Sequence, residues 1–151
     1  MDRRDVLTGM TVLAAAAMAG NAGAEEKMDH EHMHMHHHHH DNPYKALLDA
    51  TTGCMNAGEI CLAHCIDLLS AGDTSMADCA HNVNQMLAVC TALHKLAAQE
   101  SKYVPALAKI ATETCKSCME ACKKHADMHQ QCKDCMNSCE TCSKECAKVA
   151  A

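Results

Sequence analysis

The sequence predicts an all-α protein, an up-down-up-down antiparallel four-helix bundle with a cysteine-lined core. Three observations carry this: four segments after Asn42 are each bounded by helix start and stop residues, the joints between them are short, and thirteen cysteines recur at steps of three, four, seven and eleven. An α-helix advances about 100° per residue, so those steps return to one face. Short joints force consecutive helices antiparallel.

The chain divides into residues 1–24, 25–41 and 42–151. Residues 1–24 read as an export signal, with adjacent Arg3 and Arg4, an apolar run from Val6 to Ala19, and a small-x-small cleavage site at Ala22-Gly23-Ala24. The run holds about 14 apolar residues where a membrane span needs about 20. Paired arginines point to the twin-arginine route, so the expected location is the periplasm or another extracytoplasmic compartment. Residues 25–41, "EEKMDHEHMHMHHHHHD", are too polar to bury a core and read as a disordered, metal-catching His/Met-rich arm. That arm starts Glu25-Glu26-Lys27 and lacks the third-position His of an amino-terminal copper(II) chelate.

The bundle domain spans 42–151. Asn42 as N-cap with Pro43 at the first helical position opens a helix to about Ala71, where Gly72 ends it. Ser75 and Asp78 form a capping-box pattern for a second helix to about Gln99. Pro105 lies in the first turn of a third that ends near His125, and Asp127 with Gln130 caps a fourth that reaches the C-terminus.

The cysteines fall on the inward stripes of these helices. Cys54, Cys61 and Cys65 stand at steps of seven and four; Cys79 and Cys90 are eleven apart with Met86 between them on the same stripe. Cys115, Cys118 and Cys122 repeat three-four, and Cys132, Cys135, Cys139, Cys142 and Cys146 repeat three-four-three-four, the spacing of heptad core positions. The chain has no Phe or Trp, and Tyr44 and Tyr103 are its only aromatic residues by the Phe/Trp/Tyr count. Its net charge of −6, unchanged by loss of residues 1–24, argues against nucleic acid as a partner.

A thiol core needs a reason. Each Cys in place of Leu forgoes about 1–2 kcal/mol of burial. Thirteen forgo on the order of 10–20 kcal/mol, comparable with a small domain's whole stability. Disulfide stapling fits poorly, because thirteen is odd and cysteines three or four apart on one helix do not present converging Cβ vectors. Bare thiolates in a low-dielectric core need protons or metal. Zinc prefers closed tetrahedral sites on turns. Copper(I) is softer and accepts two or three sulfurs, which the i,i+4 pairs Cys61/Cys65, Cys118/Cys122, Cys135/Cys139 and Cys142/Cys146 offer. Met55, Met119, Met128 and Met136 lie beside them as thioether donors.

Enzyme readings fare worse. A thioredoxin-like C-x-x-C follows a strand, no C-x-x-C here is followed by His as covalent haem requires, and iron–sulfur ligands usually come from loops. The residues thus favour a non-enzymatic store of multiple Cu(I) ions, with a zinc or cadmium sequestering protein and a thiol-disulfide redox enzyme as alternatives.

"YKALLD", "CLAHC", the eight-cysteine run from Cys115 to Cys146 and the closing "ECAKVAA" make the chain from about Tyr44 to Ala151 resemble the exported bacterial copper storage proteins of methane oxidisers. The resemblance implies a homotetramer, many Cu(I) ions on all thirteen cysteines inside each bundle, and later supply of copper to particulate methane monooxygenase. It also implies that copper at the open bundle end meets one His and several Met residues. His64 and Met76 match two of those positions, whereas Leu68 and Ala71 take the places of two Met ligands. His125, Met128 and His129 are expected in the loop at that end as compensating donors.

Overall fold

The computed structural model describes residues 41–150. The export signal at 1–24 and residues 25–40 of the arm lie outside the described residues. Four helices follow in order: α1 (Lys45–Ser70), α2 (Ala77–Ala98), α3 (Val104–Lys123) and α4 (Gln130–Val149). Each packs against two neighbours, α1 on α2 and α4, and α3 on α2 and α4. The diagonal pairs α1/α3 and α2/α4 make no close backbone contact, which leaves a common axis to be filled by side chains.

The helix ends differ in detail from the capping signals. α1 begins at Lys45, with Pro43 in the preceding turn. Asn42 nonetheless organises that start: its Oδ1 accepts from Tyr44 N–H at 2.7 Å, its carbonyl accepts from Lys45 N–H at 3.1 Å, and its Nδ2 donates to Ala97 O at 3.0 Å. The last bond ties the start of α1 to the end of α2. Gly72 ends α1 as expected, with a φ of 95° that suits glycine. Asp73 N–H donates to Leu68 O and Gly72 N–H to Leu69 O, both at 3.0 Å, which satisfies carbonyls the last turn would leave bare.

Two expected caps are corrected. Asp73, not Ser75, caps the short 3₁₀ turn Thr74–Met76 that leads into α2, accepting from Ser75 N–H at 3.0 Å and Ser75 Oγ–H at 2.6 Å. Asp78 instead pairs with Lys124 at 2.7 Å, linking α2 to the end of α3. Asp127 does not cap α4, whose N-cap is His129 without a side-chain capping bond, and Gln130 donates to Asp134 at 2.7 Å. Both spacings match real motifs, but at the start of α2 Asp73 lies nearer the orphan N–H groups and at α4 no side chain takes the cap.

The bundle is closed at the end where α1 starts. Leu47, Leu93, Ala97, Val104, Ala108 and Ala111 are buried there. Thr51, also buried, bonds back to Leu47 O at 2.9 Å and lies 2.9 Å from His94 Nδ1, so the imidazole on that side is already engaged. Beyond this plug the buried face of α4 consists wholly of Cys132, Cys135, Cys139, Cys142 and Cys146.

Two glycines of α1 make opposite predictions. A Cβ at Gly58 would lie 2.7 Å from Met86 Cε and 2.8 Å from Leu87 Cδ2, whereas one at Gly53 would meet nothing within 4 Å. Helix-interior Gly→Ala gains about 1 kcal/mol when space allows, while overpacking costs about 1–3 kcal/mol. Urea unfolding of the reduced, metal-free protein should therefore show Gly53→Ala stabilised by up to about 1 kcal/mol and Gly58→Ala destabilised by about 1 kcal/mol.

Candidate metal centre

The three-four spacing on α4 keeps one thiol per turn on the bundle axis, and the other helices add theirs at matching heights. All thirteen cysteines are free and fully buried. From the closed end outward, Cys146 Sγ lies 3.9 Å from Cys142, and Cys142 lies 4.0 Å from Cys90 across the α2/α4 diagonal. Cys90 then approaches Cys115 at 3.9 Å, and Cys54 approaches Cys139 at 3.7 Å. Further along, Cys118 is 3.8 Å from Cys135 and 3.9 Å from Cys122. Cys122 lies 3.6 Å from Cys79, and Cys61 lies 3.8 Å from Cys132.

These sulfurs gather into four sets whose members lie within 4.8 Å of one another. One set takes a single thiol from each helix: Cys54, Cys90, Cys115 and Cys142. A second, near the opposite end, is Cys61, Cys65, Cys79 and Cys132. Between them stand Cys61/Cys122/Cys135 and Cys118/Cys135/Cys139. Cys61 and Cys135 each belong to two sets and so join three of them, and the Cys54–Cys139 approach at 3.7 Å connects the four-helix quartet to these. Cys146 extends it through Cys142. The axial span from Cys132 to Cys146 is about 21 Å at 1.5 Å per residue.

Burial and mutual S–H bonding split the thiols into two kinds. Cys54 is pulled down to about 5 by bonds from Cys115 and Cys139. Cys79, Cys135 and Cys142 are also driven well below the ordinary thiol value, chiefly by Cys122, Cys118 and Cys115 respectively. Their neighbours move the other way: S–H bonding raises Cys90 through Cys115, Cys122 through Cys118, and Cys146 through Cys142. Burial first, and then the charge of Cys79, pushes Cys65 up to about 12. Every set thus contains at least one thiol disposed to ionise.

The two connections at the other end, 71–76 and 124–129, bring imidazoles together. His64 Nε2 lies 2.9 Å from His129 Nδ1, with ring centroids 4.9 Å apart. The His125 ring is 6.4 Å from that of His129. Met76 is fully buried at the base of this mouth, and Leu68 is half-buried against the core. Met128 departs from expectation: it is 74% exposed and turned to solvent. Met55, Met119 and Met136 also differ from the column donors expected of them, being only partly buried flank residues packed against the core. Met86 is the thioether within it, accepting from Cys54 Sγ–H at 3.3 Å.

An antiparallel bundle with a continuous buried column of thiols, with imidazoles at one end and an apolar plug at the other, defines an interior holder of soft metal ions. A family profile described as copper storage protein matches residues 40–151, and the chain belongs to that family. Among solved structures, it is similar to metal-free copper storage protein 3 from Bacillus subtilis, at 25% identity and TM-score 0.61, covering 70% of this chain and 97% of that one. It also shares its fold with the Cu(I)-bound copper storage protein BsCsp3, at 23% identity and TM-score 0.64 over 72% of this chain and 99% of that one. A third match is a cytosolic copper storage protein from Streptomyces lividans described with five coppers, at 22% identity and TM-score 0.65 over 71% and 91% of the two chains. No curated protein sequence matches.

The Streptomyces comparison overturns the expected extracytoplasmic location, because that relative is described as cytosolic. The leader that suggested export lies outside the described residues.

Metal loading should be pH-dependent. A thiol raised like Cys65 is protonated at neutral pH and must release its proton to bind metal, so affinity rises with pH. Copper(I) competition titrations should show affinity increasing between pH 6 and 9, by up to about tenfold per unit for each proton displaced, with proton release visible on loading in weak buffer. An affinity independent of pH would contradict this assignment of the protons.

Proposed function

We propose that the domain at 42–151 stores multiple Cu(I) ions on its thirteen cysteines and later supplies them to a copper enzyme, without itself catalysing a reaction. The sharing of Cys61 and Cys135 between sets carries this reading. Bridging thiolates suit a run of adjacent copper(I) ions, each content with two or three sulfurs, and they halve the charge each ion must neutralise. Zinc would use four thiols of its own per closed site, and the overlapping middle sets hold three each. Burial of all thirteen thiols also leaves none presented to a substrate disulfide, which disfavours the redox-enzyme alternative. Membership of a storage family and the Cu(I)-bound relative support the choice of metal.

In this proposal the ions load through the mouth. His64, His125 and His129, with Met76 beneath them, offer neutral donors that pass copper(I) to Cys65 and Cys79 without trapping it. The opposite end presents only the apolar plug and the Thr51–His94 pair. The homotetramer and the recipient, particulate methane monooxygenase, rest on the family resemblance alone. The His/Met arm, residues 25–41, serves capture from dilute copper more than total capacity, because its ligands are not part of the cysteine column.

An anaerobic titration of the reduced protein against a chromophoric copper(I) chelator tests the proposal. Uptake should approach the number of thiols, with equimolar zinc failing to displace copper. His64→Ala with Met76→Ala should slow loading and release while leaving capacity nearly unchanged; Cys90→Ala with Cys146→Ala should lower capacity and spare early uptake. Saturation at one or two ions would end the storage reading.

A further inference from the structure

Between Cys79 and Cys90 the buried positions of α2 are Val83, Met86 and Leu87, and the storage reading gives the thioether of Met86 no role. Met86 is fully buried, and its sulfur, not merely its methyl, faces the column: Cys54 Sγ–H donates to Met86 Sδ at 3.3 Å. Cys54 in turn lies 3.7 Å from Cys139. Those two thiols belong to different sets, Cys54 to the four-helix quartet and Cys139 to the trio with Cys118 and Cys135. Met86 therefore stands at the junction between two groups of ligands.

Packing alone explains the position less well. A buried Met often fills a gap, but here the facing helix gives way to it. Gly58 carries no side chain where a Cβ would come within 2.7 Å of Met86 Cε, and that vacancy seats the methyl so that the sulfur turns toward Cys54. A thioether is a soft, neutral donor. At a junction whose thiolates already serve ions on either side, another thiolate would bury one more negative charge, whereas a thioether adds a ligand without charge.

We propose that Met86 Sδ is a copper(I) ligand inside the column, completing with Cys54 and Cys139 a three-sulfur site that joins the quartet to the trio. Copper(I) binds the Cys54 sulfur as thiolate, any proton that sulfur carries leaving to solvent, and the metal takes over the 3.3 Å contact that Cys54 Sγ now makes with Met86 Sδ. The inference rests on the storage reading.

Selenium K-edge X-ray absorption on the selenomethionine-labelled, Cu(I)-loaded full chain tests it, beside the same measurement on Met86→Leu. Met-to-Leu exchange conserves volume and is usually well tolerated in a core, so the variant should fold. The wild type should show selenium–copper scattering; Met86→Leu should lose part of it and bind a single ion fewer. Met86→Ile provides the same comparison if circular dichroism shows the Leu variant unfolded. An absence of selenium–copper scattering in a wild-type protein that binds many ions, or a signal and capacity unchanged in a folded variant, would overturn the role of Met86 and leave storage intact. A wild type that saturates at one or two ions would instead overturn storage itself, and the Met86 site with it.

Discussion

The cost of placing sulfur charge out of water governs this molecule. Thirteen thiols share one buried column, and a thiolate there is tolerable only beside a proton donor or a metal ion. In the metal-free chain, neighbouring S–H groups serve that purpose, as Cys115 and Cys139 do for Cys54. Copper(I) can substitute for those protons one site at a time. The column is thus neutral enough to fold empty and anionic enough to hold cations when filled.

The fold meets this constraint by removing every competing polarity from the axis. Among the described residues no buried side-chain nitrogen or oxygen lacks a partner, so the unsatisfied coordination capacity of the core resides in sulfur. Diagonal helices stay far enough apart for thiols to meet across the gap, as Cys90 and Cys142 do at 4.0 Å. The Leu47–Leu93 plug seals one end, and the paired imidazoles of His64 and His129 stand at the other. In the proposed loading path, imidazoles at the mouth precede the thiols of the interior.

Much of this was legible in the sequence because helical periodicity is local. Steps of three and four assign each cysteine to a face whatever its neighbours do, and all thirteen are buried as those steps require. Caps were less legible, since Asp73 and Ser75 both carry capping chemistry and only the path of the chain decides between them. The methionines separated for the same reason. Met128 follows His125 in a turn and faces water, and Met55, Met119 and Met136 sit one step off the inward stripe. Met86 lies on the stripe, but its pairing with Cys54 depends on the relative height of α1 and α2, which neither helix encodes alone. The same dependence hides which thiols share a set.

The central claim is that the buried thiols, acting as one column, are the store. Copper-edge anomalous diffraction from crystals of the fully loaded protein tests it most directly. The account predicts a row of copper positions along the bundle axis from Cys65 to Cys146, each within bonding distance of cysteine sulfur. Copper confined to the histidine mouth or to surface side chains, with the axial thiols metal-free, would contradict it.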